Sequence, residues 1–90
     1  MRESQIESEL MRAVARAGGL SRKWSSPAHR GVPDRIVLLG GYVIGVELKA
    51  PGKRPTRQQE AEHQRLRDHG LPVYVVASVE DVALLVERFS

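Results

Sequence analysis

Gly40 and Gly41 stand between two β-prone runs, residues 35–39 and 42–50, and this juxtaposition limits the chain more than any other feature. Two adjacent positions that can both take positive φ close a two-residue β-hairpin. The turn centre then lies between 40 and 41, so paired residues have numbers summing to about 81, and Asp34 faces Glu47 across the hairpin. Alternation along the returning strand sends Ile44, Val46 and Leu48 one way. Val43, Gly45, Glu47 and Lys49 go the other.

That register concentrates chemistry at one end of the hairpin. Carboxylates at 34 and 47 would lie about 5 Å apart, with the Lys49 ammonium one pleat further on. Two carboxylates and an ammonium brought together are costly unless something compensates the charge. A divalent cation held by Asp34 and Glu47 supplies the compensation, and a phosphate accounts for the lysine. Lys49 is then placed to orient or help deprotonate an attacking water, and to stabilise charge growing on the phosphate. Taken singly, Glu47 with Lys49 or Asp34 with Arg35 reads as an ordinary ion pair. Together, with Gly31 and Pro33 shaping the approach to Asp34, they read as a site for metal-assisted phosphodiester hydrolysis.

The basic residues fit such a substrate. Lys53, Arg54 and Arg57 follow the site directly and suit phosphate contacts that position DNA without reading sequence. Arg30, beside His29, lies in the loop that approaches Asp34. A solvated charge run is the alternative for each. The chain carries 14 Lys and Arg against 11 Asp and Glu, and 11 of the 14 are arginines, which fork onto phosphate. Its pI is about 9.8, which agrees with a nucleic-acid partner.

The remaining segments supply the frame. Ile6, Leu10, Ala13, Val14 and Ala17 recur at helical spacing over residues 3–17, and Gly18-Gly19 stops the helix. At about 100° per residue, Glu3 and Glu7 fall within or beside that apolar stripe. Glu7 is the better candidate for the site, although Ser4-x-x-Glu7 is also a capping box. Residues 20–26 suggest a short strand with Trp24 as core filler. Thr56 caps a helix over 57–69, and Thr56-x-x-Gln59 is a second capping box. Gln59 either completes that box or points into the site. His63 and His69 are expected on the helix surface. Residues 73–77 form a continuous apolar run, expected to be buried on both faces and parallel to its neighbour, because it is reached through a helix. Ser78 caps a last helix with Val79, Val82, Val86 and Phe89 in its stripe. The expected fold is α/β: a mixed sheet flanked by helices, order α-β-β-β-α-β-α, in a single domain spanning 1–90.

Ninety residues place the core near the lower limit for independent stability. No cysteine is present, which excludes disulfides and thiolate chemistry, and the three histidines lack zinc spacing. No apolar run is long enough to span a bilayer, and Met1-Arg2-Glu3-Ser4 does not open a signal peptide, so a cytoplasmic location is expected.

The segments "ESQIE" (3–7), "RGVPDRIVLL" (30–39), "VELKAPGKRPTRQQ" (46–59) and "VYVVASVEDV" (73–82) resemble the PD-(D/E)xK nucleases, and within them a minimal stand-alone VRR-NUC domain of phage or bacterial type. The resemblance spans nearly the whole chain. It implies a restriction-endonuclease-like core and Mg²⁺- or Mn²⁺-dependent cleavage of DNA. It places the family's motif on Asp34, Glu47 and Lys49, its downstream glutamine on Gln59, and its first-helix glutamate on Glu7, with Glu3 close by. Asp34, Glu47 and the Leu48 backbone carbonyl would hold the metal, with Glu7 completing the site or supporting it from behind. No small-molecule cofactor is implied. Stand-alone members are similar to Holliday-junction resolvases, which implies a homodimer acting on branched DNA. The alternatives are a flap or nicking nuclease and a DNA-binding module that does not cut.

Overall fold

The computed structural model describes all residues, 1–90. Its elements run in the expected order: α1 (Glu3–Arg16), β1 (Leu20–Lys23), β2 (Arg35–Leu39), β3 (Tyr42–Leu48), α2 (Arg57–Asp68), β4 (Val73–Val76) and α3 (Val79–Phe89). The four strands form one mixed sheet in the order β1-β2-β3-β4. β1, β2 and β3 are antiparallel in turn, and β4 runs parallel to β3 after the α2 crossover.

The hairpin has the expected register. Arg35 pairs with Val46 and Leu39 with Tyr42, so every pair sums to 81. Gly40 and Gly41 take φ of 60° and 85°, the positive pair that a type I′ turn requires. One face of the sheet carries Val37, Leu39, Ile44, Val46, Leu48 and Val76. These pack against Ile6, Leu10 and Val14 of α1 and Val82, Leu85 and Phe89 of α3 to form the core. α2 covers part of the other face, over Glu47.

Several local expectations change. β1 ends at Lys23 rather than 26, and Trp24 is half-buried outside the core. Its N–H instead donates to the Asp34 carbonyl (2.9 Å). β4 is an edge strand, so Val75 stays 37% exposed where burial on both faces was expected. In α3 the buried stripe includes Leu85, and Val79 lies exposed in the first turn. Ser4 does not cap α1. The helix begins at Glu3 as expected, with Arg2, two residues before Ser4, at the cap position, its N–H donating to Gln5 Oε1 (2.6 Å). Glu7 is thereby free of any capping role.

Candidate active site

Asp34 immediately precedes β2, and its position is fixed from two sides. Pro33 is buried against Gly45, where a Cβ would sit 3.0 Å from Pro33 Cγ, so the glycine lets the proline lie flat on β3. The Asp34 carboxylate accepts the Leu48 N–H through Oδ2 (2.8 Å). β2 has already ended at this level, and the side chain takes the place of the missing strand partner. N–H and C=O of one strand residue point to the same side, so the Leu48 carbonyl also faces Asp34.

Glu47 sits on β3 beneath α2 and is 2% exposed. Its Oε2 accepts from Gln59 Nε2 (3.2 Å) and lies 3.5 Å from Lys49 Nζ. Burial, reinforced by the negative charge of Asp34, pushes the Glu47 carboxyl up to about 7, and the Lys49 ammonium offsets this only in part. Near neutral pH this carboxyl is therefore poised between its two forms, and ionising it costs more than it would in water. Two adjacent acids, one of them under-compensated, match a divalent cation as the missing charge. The available donors are Asp34, Glu47 and the Leu48 carbonyl, the oxygen ligands that Mg²⁺ and Mn²⁺ accept.

Gln59 fills both roles left open by the sequence. Its N–H donates to Thr56 Oγ1 (3.1 Å) and its Oε1 accepts from the Thr56 N–H (2.9 Å), completing the capping box. Its remaining amide group then reaches Glu47, so the helix cap also anchors the site.

His63 is not on the surface. It is 1% exposed, with Nε2 3.3 Å from Glu47 Oε1. The two atoms approach within ion-pair range but are not aligned for a hydrogen bond, and neither has another partner. Burial, helped by the charge of Arg67, holds the imidazole below its usual pKa and so favours the neutral form. The signal was present in the sequence: His63 follows Gln59 by four residues and must share its face.

Glu7 goes elsewhere. Its Oε2 accepts from Arg35 Nε (2.9 Å), and Arg35 Nη1 also reaches Ser21 Oγ (3.3 Å). Arg35 points to the α1 face of the sheet and Glu47 to the α2 face, so Glu7 is not gathered with the other acids. Glu3 is exposed. No group of three acidic or histidine side chains is assembled at one point.

Comparison with known proteins gives this geometry its context. The sequence matches no protein-family model. It is 45% identical over 86 residues to "Putative nuclease p44" of Acyrthosiphon pisum secondary endosymbiont phage 1, covering 94% of this chain and 92% of that protein. A solved structure described as a VRR_NUC domain superposes with a TM-score of 0.87 at 33% identity, covering 98% of this chain and 97% of the other. The chain belongs to the VRR-NUC nuclease family.

Within this VRR-NUC domain the basic residues expected to meet phosphate lie at the surface. Arg30, Lys53, Arg54 and Arg57 are exposed and make no ion pair within the chain. Arg57 lines an open cleft of about 580 Å³ with Pro55, Gln64, Arg67 and Val75, and His63 forms its inner wall. His29 Nε2 meets Glu62 Oε1 (2.9 Å), tying the loop that carries Arg30 onto α2. That contact, with help from Arg65, holds the Glu62 carboxyl below its usual range. The domain has no helix long and apolar enough to cross a membrane.

Proposed function

We propose that this VRR-NUC domain is a Mg²⁺- or Mn²⁺-dependent, structure-specific DNA endonuclease that cuts branched DNA such as Holliday junctions as a homodimer. The observation that carries the reading is the buried Glu47 carboxyl pushed up to about 7 beside Asp34, with Lys49 and Gln59 on the same carboxylate.

Asp34, Glu47 and the Leu48 carbonyl would hold the cation, which when bound supplies polarisation of the phosphodiester and activation of water. Lys49 is placed to orient the attacking water and to stabilise negative charge on the phosphate as it develops. Gln59 fixes the Glu47 carboxylate. Glu7 supports the site at one remove, by holding Arg35 at the start of β2, next to Asp34. Arg30, Lys53, Arg54 and Arg57 grip the backbone and leave the bases unread. Two symmetric cuts require two sites related by a two-fold axis. Leu20, Leu38 and Val43, cross-strand neighbours on the sheet face that α2 leaves open, provide exposed apolar surface for a second copy.

The test is cleavage of labelled four-way junction, flap and plain duplex with Mg²⁺ or Mn²⁺, beside Asp34→Ala. Symmetric junction cuts, lost in the variant and in chelator, are expected. Metal-dependent cutting of flaps or duplex alone removes the junction assignment but keeps the nuclease. Binding without any cutting indicates a DNA-binding module.

A further inference from the structure

The orientation of Glu47 depends on more than the residues assigned so far. Its two oxygens are divided between two residues one turn apart on α2. Gln59 Nε2 donates to Oε2 at 3.2 Å, and His63 Nε2 lies 3.3 Å from Oε1. Lys49 also approaches Oε2, whereas Oε1 has no hydrogen-bond partner and lies against the imidazole. Leaving a buried oxygen and a buried ring nitrogen both unbonded is costlier than the small turn of either side chain that aligns them. The neutral tautomer protonated on Nε2 donates to Oε1 in that arrangement.

We infer that His63 is a positioning residue for Glu47, occupying Oε1 from the α2 side so that Oε2 is the oxygen presented to Lys49 and to the cation. The inference rests on the function proposed above and extends it to a residue outside the motif. It follows from geometry: a 1%-exposed histidine on a polar helix, with its ring nitrogen against a 2%-exposed carboxylate. The bland alternative is a histidine that merely fills space under α2. The alternatives differ in what replaces it. Shape alone would be served by leucine, whereas positioning needs a donor at the place of Nε2, which the glutamine amide supplies.

The experiment is calorimetric titration of the DNA-free protein with Mn²⁺, comparing the wild type with His63→Leu and His63→Gln, with melting temperature and metal-dependent cleavage recorded in parallel. Removing the partner of a metal ligand typically weakens metal affinity about 10- to 100-fold. His63→Leu is expected to weaken Mn²⁺ binding by about tenfold or more while still melting as a folded protein, and His63→Gln to recover most of that loss. If the leucine variant does not fold, His63→Met takes its place. Equal Mn²⁺ affinity in wild type and His63→Leu overturns the role of His63 and leaves the metal site standing. Glutamine as weak as leucine also overturns it. A wild type that binds no Mn²⁺ overturns the metal reading itself and the inference with it.

Discussion

Replacing Glu47 with glutamine should stabilise the metal-free protein at alkaline pH while abolishing cleavage. The buried carboxyl is pushed from 4.5 to about 7, so the folded state holds its proton more tightly than the unfolded chain does. Its contribution to stability is therefore complete below pH 4.5, declines between pH 4.5 and 7, and stays at its lowest above that window. At 1.36 kcal/mol for each tenfold change in acidity, the loss amounts to about 3 kcal/mol; relaxation and water entry reduce this to about 2 kcal/mol. Glutamine keeps the shape and the Gln59 contact but has no proton to lose. In urea titrations with chelator, Glu47→Gln and wild type should match near pH 4.5 and diverge through neutrality. By pH 8 the variant should be ahead by about 2 kcal/mol, or roughly 10 °C in melting temperature for a domain of this size. His63, held below its usual value, tilts stability the opposite way by destabilising the fold as pH falls below 6.5, but at pH 8 it is neutral in the folded and unfolded states of both proteins and does not enter the difference read there. Mn²⁺ added at pH 8 should stabilise the wild type and not the variant. A pH-independent difference, or a variant that is weaker at every pH, would refute the claim that Glu47 is held ionised at a cost.

Other expectations concern the supports of the site. Glu7→Ala strands the Arg35 guanidinium, whose side chain is 11% exposed, and should lower stability by about 2 kcal/mol in denaturant titration. Adding Arg35→Met should return most of it, because no buried charge is then left alone. Gly45→Ala drives a Cβ into Pro33 at 3.0 Å; it should cost about 1–2 kcal/mol by overpacking. Because Pro33 carries Asp34, the same change should reduce cleavage about tenfold or more in single-turnover assays. Arg54→Ala and Arg57→Ala should each weaken DNA binding without altering sequence preference, and flatten the slope of log K against log salt by about 1.

The site was legible where it rested on local rules. The Gly40-Gly41 turn sets the register, and the register by itself places Asp34 opposite Glu47. The capping box at Thr56 located α2, and the apolar run at 73–76 after it announced a parallel strand. Where reading failed, the cause was packing between distant segments. α2 has almost no apolar face, and its polarity points its histidines to solvent. In fact Glu62 and His63 are buried because the partners that make them tolerable, His29 and Glu47, come from elsewhere in the chain. Glu7 does not cap α1 and pairs with Arg35 instead, because the helix is capped at Arg2 and Arg35 needed a counter-charge.

The sequence by itself determined the elements, the hairpin and the acidic pair, because turn chemistry, period-two alternation and capping act within a few residues of one another. Only the tertiary structure decided which buried polar groups share a partner. Placing α2 over β3 buried the Glu47 carboxylate against Gln59 and His63, and placing α1 over β2 drew Glu7 away to Arg35. A charge in a low-dielectric interior takes its energy from whichever group lies next to it in space, and for these residues the nearest groups are far away along the chain.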